Sequence, residues 1–148
     1  EGGFWDRYVS TLSDIYQGIA TVIGTAMGSF GQAHAYNHPV HSVQEFPAFI
    51  VLPDPFDPEI AFGGNSIEGK ARIIILVSSV DSPQGFQDLY DILDPTEAGK
   101  SLIKALRDAP TFGGKVDSSR VGTVSNIGQI EVFGGFYYGA EIEVEFVK

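Results

Sequence analysis

The sequence predicts an α+β fold, an antiparallel sheet of about four or five strands with helices packed on one face. Three observations predict it. Helical periodicity is confined to two regions, about 12–27 and 83–109, so helices and strands do not alternate as βαβ units would. The stretch Lys70 to Ser79 is apolar enough to lie at the centre of a sheet. In the last third, Ile142, Val144 and Phe146 alternate with Glu141, Glu143 and Glu145, which gives a strand one buried and one wet face.

The elements follow in order. Leu12, Ile15, Ile19, Val22, Ile23 and Ala26 form one apolar helical stripe. Ser13 and Asp14 suit its start, because a side-chain oxygen accepts a free amide there, and Gly28 suits its stop. Residues 1–11 are expected to form an N-terminal arm carrying Phe4, Trp5 and Tyr8, ahead of a single domain over 12–148. Gln32 to Tyr36 is a candidate strand that breaks at Asn37-His38-Pro39. Pro47 to Pro53 reads as a strand bounded by prolines. Pro53 to Gly69 holds three prolines, three glycines and four acids and is expected to be a long loop.

After the central strand, Ser82 can cap a helix and Pro83 suits its first turn, with Phe86, Leu89, Tyr90 and Leu93 on one face. Asp94-Pro95-Thr96 interrupts it, and Ala98, Leu102, Ile103 and Leu106 resume the spacing. Two short helices with a kink are expected. Arg120 to Ser125, Gln129 to Phe133 and Phe136 to Val147 read as strands, with Gly134-Gly135 as a hairpin turn.

Composition narrows the function. The chain has 148 residues, 43% of them hydrophobic, with a mean hydropathy of +0.06. One domain of this size buries roughly 70% of its unfolded surface and needs no staples. The absence of cysteine removes disulfides, thiol catalysis and Cys-based zinc sites. No run approaches the roughly 20 apolar residues of a membrane span. The sequence opens on Glu1-Gly2-Gly3 rather than methionine, so a trimmed start is expected, and no signal-peptide pattern stands in it. A net charge of −10 offers no basic stripe for nucleic-acid phosphates.

Candidate sites are few. His34, His38 and His41 have the donor type for a metal, but Pro39 breaks any helix that would align them, so a turn with exposed histidines is expected. Asp54, Asp57 and Glu59 have the oxygen ligands calcium requires without the spacing of an EF-hand. Glu141, Glu143 and Glu145 are expected to form a solubilising face, or in an oligomer to line an interface or channel, rather than an acid–base pair. Phe62-Gly63-Gly64-Asn65 and Phe112-Gly113-Gly114-Lys115 lack the Lys-Ser or Lys-Thr of a phosphate loop, and no serine sits in a nucleophile elbow. No enzyme and no cofactor is expected.

Surface remains. The arm (Phe4, Trp5, Tyr8), the long loop (Phe56, Phe62) and the hairpin (Phe133, Phe136, Tyr137), with Glu141 and Glu143, are the candidate interface residues, since aromatics bury large area at small entropic cost. Replacing Phe136 and Tyr137 with serine is expected to leave the monomer folded and abolish assembly.

Several stretches resemble the small tail-terminator proteins of long-tailed phages, especially those infecting actinobacteria. Leu12 to Ala20 is similar to their opening helix, and Phe46 to Pro53 to a proline-alanine strand. Leu89 to Leu106 is the most specific stretch. Leu106 to Val121 and Tyr138 to Glu145 resemble their glycine-glycine stretch and closing strand, so that the likeness spans most of 12–147. Phe4 to Tyr8, the histidine turn and Phe56 to Glu59 depart from it.

The resemblance implies a virion protein of the tail and neck, assembled in the host cytoplasm as a homo-oligomeric ring, typically of six copies. Such a ring sits on the major tail-tube protein, stops its polymerisation and presents a surface to a head-closure or connector protein. DNA passes through the channel without specific binding, which an acidic wall favours. A head-closure or adaptor ring is the alternative within this class, and a small ligand- or metal-binding module the alternative outside it.

Overall fold

The computed structural model describes residues 3–30, 34–36, 46–54, 68–79, 83–96 and 101–147; for residues 3–11, 29, 30 and 34 it describes the backbone alone. The chain runs α1 (Gly3–Ala26), a 3-10 turn (Met27–Phe30), β1 (His34–Tyr36), β2 (Ala48–Pro53), β3 (Glu68–Ser78), α2 (Pro83–Leu93), α3 (Leu102–Asp108), β4 (Ser118–Val132) and β5 (Gly135–Val147). The strands form one sheet in the order β1-β2-β3-β5-β4, giving the expected α+β class. The sheet is mixed rather than wholly antiparallel, because β1 pairs parallel to β2. Residues 37–47 separate these two strands, a connection close in length to the dozen residues of a crossover and too long for a tight hairpin.

The first helix starts at Gly3, so residues 3–11 are its opening turns and not a separate arm. The sequence accounts for this: Trp5, Tyr8, Val9 and Leu12 extend the same stripe backwards at three- and four-residue steps. Ser13 and Asp14, expected to cap, lie exposed within the helix, where such residues cost only tenths of a kcal/mol. The second helical region divides as expected. Pro83 occupies the first position of α2, while Ser82 and Ala98 lie outside the described residues. Asp94 ends α2 by accepting the Thr96 backbone N–H at 2.9 Å and its hydroxyl at 2.7 Å. Those two bonds, the backbone one foremost, hold the Asp94 carboxyl below its ordinary range. Ser101 caps α3, its Oγ accepting the Lys104 N–H at 3.0 Å.

All three helices pack on one face. Beneath them lie Phe49 and Val51 of β2, Ile73, Ile75 and Val77 of β3, and Ala140, Ile142, Val144 and Phe146 of β5. Ile15, Ile19 and Ile23 of α1, Leu89 and Ile92 of α2, and Leu102 and Leu106 of α3 complete this core. The opposite face has its own buried cluster, Ala48, Ile50, Ile74, Leu76 and Tyr137.

The strands expected at 120–125 and 129–133 are one bulged strand, β4. Val121 pairs with Val144 and Val124 with Ile142; Ser125 pairs with Glu141 and Gly128 with Gly139. Each interval holds one extra residue on β4. Asn126 (φ 54°) and Gly128 (φ 124°) supply the second bulge, and these turn-type residues mimic a break in the sequence. The hairpin turn falls one residue earlier than expected. Val132 pairs with Gly135, so Phe133 (φ 53°) and Gly134 (φ 76°) form the two-residue turn, both left-handed as a type I′ turn requires.

Candidate functional site

Three surface features are candidates, and each follows from how strands and helices expose their residues. The first is the glutamate ladder of β5. The alternation places it on the face away from the helices, opposite Lys70 and Arg72 of β3 and Arg120 of β4. Lys70 Nζ lies 3.8 Å from Glu143 and 3.7 Å from Glu145. Arg72 Nη1 is 3.5 Å from Glu141, whose other carboxylate oxygen accepts the Asn126 side-chain amide. Arg120 Nε donates to Glu145 at 3.0 Å, and its Nη2 bonds the same oxygen. The Arg120 hydrogen bond and charge, with Lys70 behind them, hold the Glu145 carboxyl below its ordinary range.

Three glutamates thus face three cations. The ladder is charge-balanced, and the net −10 is carried by the rest of the chain. It is therefore not a bare acidic wall. Glu141, expected on a wet face, is only 9% exposed, whereas Glu143 keeps a third of its side chain in water.

The second feature is the end of the β4–β5 hairpin. The β3 pairing of β5 stops at Tyr138. Beyond it the pairs Ile130–Tyr137, Glu131–Phe136 and Val132–Gly135 join β4 and β5 alone. Phe136 is 59% exposed there, a large ring left in water. Tyr137, expected beside it at the surface, is buried in the open-face cluster with its ring 6.2 Å from that of Phe46. The period-two alternation explains the split, since neighbouring residues face opposite sides. Phe133 is half-buried against the same cluster. The expectation that serine at both 136 and 137 spares the fold is therefore corrected to Phe136 alone.

The third feature was not read from the sequence. A groove of about 830 Å³ runs between α1 and α3, lined by Gly18, Thr21, Thr25, Lys104, Ala105 and Lys115 among others. Small residues on both helices leave the space open. At Gly18 a Cβ would lie 2.8 Å from the Lys115 side chain and 3.0 Å from the Phe112 carbonyl oxygen, so glycine lets the 110–117 turn close one end. That turn is held by the Lys115 and Val116 amides donating to the Thr111 carbonyl at 2.8 and 3.1 Å. The available signals were a glycine inside an apolar helix stripe and the Gly113-Gly114 pair.

No protein-family model matches the chain, and no curated protein matches it.

Phe4, Trp5 and Tyr8 fall on the first turns of α1, where the backbone alone is described. Phe56, Phe62, His38, His41, Asp57 and Glu59 lie outside the described residues, and His34 is on β1. Among the described residues no three His, Asp or Glu side chains gather closely enough to hold a metal, and no helix is long and apolar enough to cross a membrane. Tyr16 is a structural group. Burial first, and Asp54 second, push its phenol up to about 12, and its hydroxyl donates to the Lys70 carbonyl at 3.3 Å.

Proposed function

We propose that this chain is a structural neck protein of a long-tailed phage, forming a ring that caps the tail tube, stops its polymerisation and joins it to the head. The observation that carries the reading is the overhanging hairpin with Phe136 exposed at its end. An aromatic exposed on a two-stranded ribbon is suited to assembly. The stretches that resemble tail terminators fall on α1, β2, α2, α3 and β5. The acidic balance agrees with a channel through which DNA slides without sticking, although the paired ladder on β5 is not its source.

Electron microscopy of lysates from a phage carrying a nonsense mutation in this gene tests the reading. Overlong, headless tubes beside filled heads are expected. Tails of normal length beside leaking heads would move the protein to head closure, and normal virions would remove it from the neck.

A further inference from the structure

We infer that copies of this chain join head to tail, the β4–β5 hairpin tip of one seated in the α1–α3 groove of the next. Closure of these contacts into a ring rests on the neck reading; the contact itself rests on three observations.

The tip is a defined knob. Glu131 and Phe136 are cross-strand partners, so their side chains stand together on one side of the ribbon, and both are exposed. Glu131 is the single charge between Asn126 and Gly139.

The groove is a matching recess. Gly18, Thr21 and Ala105 give it a floor of small side chains, and Lys104, Asp108 and Lys115 supply its charges. Lys104 is tied to Asp108 at 2.8 Å, and Lys115 has no ion pair among the described residues. On a chain of net −10, this recess carries two cations against one anion. An aromatic ring beside a carboxylate fits it: the ring loses water against Thr21 and Ala105, and the carboxylate meets Lys115 at the rim. Phe136 supplies most of the binding energy, and the charge pair sets register and encounter rate.

Their placement makes the contact intermolecular. Lys115 lies three residues before β4 begins and the turn follows its last residue, Val132. Fifteen residues at about 3.3 Å each separate the two by roughly 50 Å, less what bulges and twist remove. A tip cannot reach its own groove. Different patches on opposite ends of one molecule make a heterologous contact, which closes into a ring or runs on as a filament.

The chain contains no cysteine, so introduced thiols report this contact alone. Mixing Glu131→Cys with Lys115→Cys, which keeps the Phe136 ring, under mild oxidation is expected to give disulfide dimers holding one of each, and the double variant a ladder of higher species. Glu131→Lys is expected to raise the concentration for half-assembly at least tenfold, and adding Lys115→Glu to restore it. Circular dichroism of each variant confirms the fold, both positions being exposed. Rings that form without the 131–115 cross-link and tolerate Glu131→Lys would overturn the inference and leave the ring intact. A chain that stays monomeric, with no cross-link, would overturn both.

Discussion

The two faces of this sheet share the same strands and the same alternation, yet they are built differently. Under the helices, Ile73, Ile75, Ile142, Val144 and Phe146 form one continuous apolar layer. The opposite face is divided. Toward one end Lys70, Arg72, Arg120 and the three glutamates form a network of ion pairs; toward the other, Ile50, Ile74, Leu76 and Tyr137 are as buried as the main core. An apolar–polar alternation therefore specifies a buried face only on its apolar side. Its polar side can be wet, paired or, a few residues along, apolar again.

Perturbing each face tests how far this contrast extends to energy. The largest effect is expected where both faces share backbone. A Cβ at Gly139 would stand 1.7 Å from the Ile75 carbonyl oxygen, so Gly139→Ala must part β3 from β5. Its cost should exceed the roughly 1–3 kcal/mol of ordinary overpacking, read as a fall in the urea midpoint. Next comes the helix-covered face, where Phe146→Ala should cost about 4 kcal/mol because its ring fills the space under Tyr16 at 6.0 Å between centroids. Tyr137→Ala on the open face should cost about 3 kcal/mol. Equal or reversed costs would break the ranking of the two cores.

The smallest effect belongs to the paired end. The Glu145 carboxyl is held low by Arg120 in the folded chain, so its contribution is fully present above the ordinary value of 4.5 and is lost as pH falls through the lower folded value. Glu145→Gln should lower stability slightly at pH 7, match the parent chain at low pH, and so flatten the decline below about pH 4.5. A variant with an unaltered acid profile would show that the pair contributes nothing in water.

Much of this was legible in the sequence. The β3 run, the β5 alternation and the stripe of α1 rest on local periodicity, and each appears in the fold. What was missed depends on partners that local pattern does not contain. Tyr137 looked like part of an exposed aromatic tip because nothing in Phe136-Tyr137-Tyr138 says that Ile74, Leu76 and Phe46 lie across the sheet. The groove was invisible for a similar reason: Gly18 and Ala105 are 87 residues apart in the chain, and a recess is made by what two elements lack. The break expected within β4 was a sound reading of Asn126 and Gly128 as turn residues, but tertiary pairing used the same left-handed geometry to bulge a continuous strand.

Those bulges have a consequence for how the protein tolerates changes in length. A single inserted residue in β3 or β5 would turn every following side chain to the wrong face, exchanging Ile142 for a glutamate under the helices. In β4 the first extra residue reverses the phase at Gly122-Thr123 and the second restores it at Asn126-Ile127, so Val121 faces the helix-covered core and Ile130 is still buried on the other side. Because β4 lies at the margin of the sheet, nothing beyond it has to follow the shift. Insertion or deletion of one residue should therefore be tolerated best in this strand and worst in β5 and in β3 ahead of its own irregularity after Leu76.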